Sequence, residues 1–114
     1  TRHPLMTTDV LLAFSTCPDQ TAADRITEAL VREGLAACVN QIIGVQSVYR
    51  WEGKLRRDSE VLLLMKTTTA RFDILAARLL ELHPYDLPEI IAAPITGGVS
   101  EYLQWVYTCT SEQR

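Results

Sequence analysis

The order of strand-like and helix-like patterns in this 114-residue chain predicts an α+β fold of the βαββαβ kind, extended by one more helix at the C-terminal end. Three observations predict it. Apolar runs and helical periodicities alternate as strand, helix, strand, strand, helix, strand, helix. Between the first two helical patterns, Ala36 to Trp51 runs sixteen residues without a proline, rich in Val, Ile, Tyr and Trp. Glu52-Gly53-Lys54 then makes a hairpin turn, and Ser59 to Thr67 returns as a second strand.

Each element has its own signature. Val10 to Phe14 is a short apolar run that reads as a buried first strand, closed by Ser15 and Thr16 and by a turn at Cys17-Pro18-Asp19. Asp19 or Thr21 can cap the helix that follows, where Ala22, Ile26, Ala29 and Leu30 recur at helical spacing and Gly34 gives the stop. Thr67, Thr68 and Thr69 are cap candidates for the second helix, with Phe72, Leu75, Ala76 and Leu79 on one stripe and an end at His83-Pro84. Glu89 to Ile95 reads as a fourth strand whose Pro94 points to a sheet edge. Gly97-Gly98 breaks the chain, and Ser100 caps a final helix with Tyr102, Trp105, Val106 and Cys109 on one face.

The long ribbon sets a geometric problem. Sixteen extended residues span about 50 Å, whereas a compact domain of this size is only about 35 Å across. The ribbon must bend at Gly44, project beyond the domain to pair with another chain, or do both. Val45, Ser47, Tyr49 and Trp51 share one face of its distal part, so a lone ribbon would expose large apolar groups. An oligomer is expected.

Composition narrows the function. Hydrophobic residues make up 47% of the chain, enough for a core, and a single domain over 6–110 is expected. Residues 1–5 read as a cloning remnant ahead of a natural start at Met6, and 111–114 as a polar tail. Eleven basic against fourteen acidic residues give a net charge of -3, with no basic cluster beyond Arg56-Arg57, so nucleic acid is not an expected partner. The longest apolar run, Val61 to Met65, is far short of the roughly 20 residues of a membrane helix, which predicts a soluble cytosolic protein. Cys17, Cys38 and Cys109 are odd in number and widely spaced, and read as free thiols. No nucleophile elbow, phosphate-binding glycine loop or zinc-protease helix is present; neither an enzyme nor an organic cofactor is expected.

The densest chemistry lies in His83-Pro84-Tyr85-Asp86-Leu87-Pro88-Glu89. Pro84 and Pro88 hold the residues before them in extended conformations, so this is a stiff, positioning loop. His83 is its candidate for handling metal or protons near neutral pH. The plain alternative is a helix-terminal imidazole that interacts with the last carbonyls. Cys38 and Cys109 read as packing thiols, and Cys17, in a turn beside Pro18, suits either packing or chemistry. Tyr49 and Trp51 read as interface packing, while Tyr85 can line a pocket. Lys66 and Glu60 share one face of the returning strand, and Glu60 reads as exposed or ion-paired.

Four segments, Ala36-Ala37-Cys38-Val39-Asn40, Ser47 to Lys54, Glu60 to Thr67 and His83 to Glu89, resemble the CutA family of divalent-cation tolerance proteins in order and spacing. The likeness extends from Val10 to Tyr107. It implies a small, cytosolic, ferredoxin-like homotrimer whose ribbons pair between subunits, with a link to copper tolerance and copper binding. The family's metal binding is associated with a cysteine at the end of the first strand and histidines before the Pro-Tyr pair. Here those positions are Ser15, with Cys17 two residues on, and Leu82-His83. The resemblance therefore implies a site for copper or another divalent cation from His83, Cys17 and Glu89, with Tyr85, Lys66 and Trp51 as further cleft residues. A second expectation, from the shared ferredoxin-like plan, is a small-molecule-sensing trimer comparable to the nitrogen-regulatory PII proteins.

Overall fold

The computed structural model describes residues 8–111. The expected remnant at 1–5, the start at Met6 and all but Ser111 of the expected tail lie outside the described residues. The elements are β1 (Val10–Cys17), α1 (Gln20–Arg32), β2 (Cys38–Trp51), β3 (Lys54–Thr68), α2 (Thr69–Leu82), β4 (Ile91–Pro94) and α3 (Ser100–Thr110). The four strands form one antiparallel sheet in the order β2-β3-β1-β4, the ferredoxin-like arrangement with a closing helix.

Alternation along the strands decides which face is buried. Val61, Leu63 and Met65 of β3 lie opposite Cys17, Ser15 and Ala13 of β1, and all six turn toward α1 and α2. Ile26 and Leu30 of α1 and Leu75 and Leu79 of α2 close over them, each without exposed surface. Burial of each such side chain contributes about 1.5–3 kcal/mol. Asp19 caps α1, its Oδ1 accepting from the Ala22 N–H at 2.9 Å, and Gly34 at φ 72° turns the chain away from the helix end. A fork from Arg78 to Glu33, at 3.0 and 2.9 Å, ties α2 to the end of α1.

Three sequence-based expectations shift in the details. Thr68, the last residue of β3, holds the cap position of α2 without a side-chain cap bond, while the buried Thr67 hydroxyl donates to the Leu35 carbonyl at 2.7 Å. Ser100 is the first helical residue of α3, with Val99 at the cap position. Val106 and Cys109 of the expected face do pack, together with Leu103, Tyr107 and the buried Thr110, whereas Tyr102 and Trp105 are both 44% exposed. α3 carries apolar residues on more than one stripe, so periodicity alone does not select the docked one.

The ribbon both bends and projects. Ile42 pairs with Leu62 and Val45 with Glu60, so Ile43 and Gly44 together oppose Val61 in a β-bulge, with Gly44 at φ 84°. β1 ends opposite the same Val61. Beyond this point β2 and β3 continue alone, and the chain reaches 55 Å in its longest dimension. The tip is a two-residue turn of Glu52 and Gly53, both with positive φ, as a type I′ hairpin needs.

Ser15 stands out in the core: fully buried, its Oγ has no hydrogen-bond partner among the described residues. An unsatisfied buried hydroxyl costs about 1–3 kcal/mol. Ser15→Ala is therefore expected to raise the denaturant midpoint at an unchanged slope, by about 1 kcal/mol of stability. A lower midpoint would show that the hydroxyl is satisfied in solution.

Candidate functional site

Where the ribbon leaves the three-stranded part of the sheet, the 83–89 loop folds across it and encloses an open cleft of about 840 Å³. Tyr49, Trp51, Asp58 and Glu60 reach it from the ribbon, and Tyr85, Asp86 and Glu89 from the loop. Four carboxylates line it against one guanidinium, that of Arg56, so the cleft is acidic.

The loop is held by a chain of hydrogen bonds from its first residue. The His83 N–H continues α2 by donating to the Leu79 carbonyl at 2.9 Å, while Arg25 Nη2 takes the Leu82 carbonyl at 2.8 Å. The His83 ring, 7% exposed, does not turn back to the helix end. Its Nδ1 accepts from the Tyr85 N–H at 3.1 Å, which places the ring proton on Nε2, and Nε2 donates to the Thr16 carbonyl of β1 at 2.8 Å. Both ring nitrogens are thus engaged. Burial, opposed by the Thr16 bond and the Glu60 charge, holds the imidazole pKa below its ordinary 6.5.

Tyr85 then reaches the ribbon. Its hydroxyl donates to Glu60 Oε2 at 2.6 Å, and its ring lies 4.9 Å from that of His83, centroid to centroid. Burial and the Glu60 bond push the phenol pKa up, so it stays a neutral donor. Glu60 itself is only 7% exposed and, among the described residues, in no ion pair, in place of the exposed or ion-paired side chain expected from sequence. Strand alternation hides this, because the cover comes from a loop 25 residues away along the chain. Two prolines bracing a tyrosine were the one signal that something beneath it is held. A second pair, Tyr49 to Asp58, lies farther along the ribbon.

The other expected site residues are distributed unevenly. Glu89, Tyr85 and Trp51 line the cleft. Cys17 does not: it is fully buried opposite Val61, and burial, then the charges of Glu60 and Asp19, push its thiol up to about 11. Lys66 is elsewhere on the sheet, donating to Asn40 Oδ1 and standing 3.9 Å from Cys38 Sγ. Among the described residues, no three His, Cys, Asp or Glu side chains gather closely enough to hold a metal ion.

The His83 contacts carry a pH dependence. Folding favours the neutral ring, so the unfolded chain binds the proton more readily. The stabilisation is fully present above the unfolded pKa of about 6.5 and is lost as pH falls below it. The melting temperature should fall less between pH 7.5 and 5.5 in His83→Gln than in the parent chain. Equal falls would mean that the ring does not titrate against folding.

Comparison with known proteins agrees with this architecture. The family model described as CutA1 divalent ion tolerance protein matches residues 11–109. The chain is 52% identical over 91 residues to a divalent-cation tolerance protein CutA of Thermus thermophilus, covering 80% of this chain and 88% of that one. It is 43% identical over 100 residues to a chloroplastic CutA protein of Arabidopsis thaliana, covering 88% of this chain but only 55% of that one. The crystal structure of CutA from Xylella fastidiosa superposes with a TM-score of 0.90 at 47% identity, covering 91% of this chain and all of the other. With its ferredoxin-like sheet, projecting ribbon and proline-braced loop, the chain belongs to the CutA1 family of divalent ion tolerance proteins.

Proposed function

We propose that this chain acts in divalent-cation tolerance as a cytoplasmic homotrimer that binds copper or another divalent cation beside the 83–89 loop at a subunit boundary. The observation that carries the reading is the acidic cleft at the base of an apolar ribbon that projects from its own domain. Ile43 is 71% exposed and Leu55 78%, with Val48 about half exposed, a spread of apolar surface that a partner chain would cover. Asp86 and Glu89 are exposed on the loop and supply oxygen donors. A neighbouring subunit supplies the remaining ligands. His83 joins only by releasing the Tyr85 N–H, and Cys17 only by losing a proton that burial retains, so the donor set of one chain is oxygen-rich and suits harder divalent ions as well as copper(II). The three free cysteines suit a reducing compartment. The cleft is read as a binding site and not a catalytic one.

A specific observation also favours a small-molecule-sensing trimer of the PII kind. The cleft volume falls within the range of about 300–1,000 Å³ usual for small-ligand sites, and its walls are aromatic.

Calorimetric titration of the full chain with copper(II) and with manganese(II) tests the metal reading. Saturable binding near one ion per chain is expected, weakened about tenfold in Glu89→Gln. No heat of binding with either ion would overturn it.

A further inference from the structure

Glu60 is a carboxylate only 7% exposed that forms no ion pair among the described residues. Its one side-chain hydrogen bond among the described residues comes from Tyr85, a neutral phenol. Buried charges are ordinarily paired, because an uncompensated one costs several kcal/mol. Arg25 of α1 donates to the Leu82 carbonyl, and His83 of the loop is held neutral by burial. Arg56 is exposed on the ribbon and forms no ion pair with Glu60 among the described residues. The side chain nonetheless lines the cleft, together with Trp51, Tyr49 and Tyr85.

That combination selects among cations. At Glu60 a bare divalent ion would need further donors converging there, and one chain offers no such group of three among the described residues, which leaves that ion to the Asp86 and Glu89 side of the cleft at the subunit boundary. An organic ammonium needs one carboxylate to accept its N–H groups and aromatic faces for its charge and methylenes. We propose that the cleft binds a primary alkylammonium ion, its head group on Glu60 and its chain along Trp51 and Tyr49. A carboxylate with open lone pairs favours an ammonium that carries N–H donors over a quaternary one, which carries none. The proposal rests on the small-molecule reading of the cleft and is independent of the metal reading.

Titration calorimetry on the full chain, at constant ionic strength, uses n-butylammonium chloride, with n-butanol, sodium butanoate and tetramethylammonium chloride as matched probes. Saturable binding of n-butylammonium is expected, with the alcohol, the anion and the quaternary ion each at least about tenfold weaker. Glu60→Gln should lose about tenfold or more in affinity, and Trp51→Leu, at a half-exposed ribbon position, several-fold, with thermal melts confirming the fold of each. Binding of the alcohol or the anion as tight as that of the ammonium would overturn the ligand class while leaving a small-molecule cleft standing. No binding of any probe would remove both. Unchanged affinity in both variants would place the ammonium elsewhere.

Discussion

The structure depends on a mismatch of strand lengths. β3 is fifteen residues long, yet β1 pairs with only its last eight, Val61 to Thr68. The part that β1 pairs is a core strand, buried by the two helices. The remainder, Lys54 to Glu60, has only β2 as a neighbour and must leave the domain. The bulge at Ile43 and Gly44 falls opposite Val61, where three-stranded pairing stops, and lets the overhang take its own direction. A two-stranded ribbon alone in water is marginally stable at best, so an overhang with exposed Ile, Leu and Val calls for something to lie against.

The candidate site is a consequence of that mismatch. Glu60 is the first residue of β3 beyond the reach of β1, and it is there that the 83–89 loop crosses the ribbon. The loop is fixed at one end to β1 through His83 and Thr16, and at the other to β3 through Tyr85 and Glu60. Tyr85 links the two ends, its N–H donating to His83 Nδ1 and its hydroxyl to Glu60. The loop is thus a wall, set by the core on one side and by the ribbon on the other. Its exposed carboxylates, Asp86 and Glu89, line the cleft, while Glu60 beneath is buried and forms no ion pair among the described residues. Loop chemistry positioned by a rigid scaffold in this way is the usual arrangement of a binding site.

Much of this was legible in the sequence, and the rest has identifiable physical reasons. The order of elements followed from pattern, because two helices repeat apolar residues at helical spacing and the strands stand out as short apolar or β-branched runs between turn signals. Gly44 was readable as a bend, since a glycine within a strand too long for its domain has few other uses. The docked face of α3 was not, because Tyr102 and Trp105 lie on a stripe as apolar as the one that is buried. At the site, the stiff loop and a lining place for Tyr85 could be read from residue types and prolines, whereas Trp51 and Glu89 were expected there only through the family resemblance. The burial of Glu60 and the occupation of both His83 nitrogens could not. Both arise from contacts across 25 and 67 residues of chain, which local patterns do not encode.

The central claim is that the overhanging ribbon is an assembly element, and that the cleft at its base is completed by a second and third copy of the chain. Sedimentation equilibrium of the full chain at micromolar concentration tests it most directly. The account predicts a single species of three chain masses. A single species of one chain mass would contradict it, leaving the exposed apolar ribbon without the partner that its length demands.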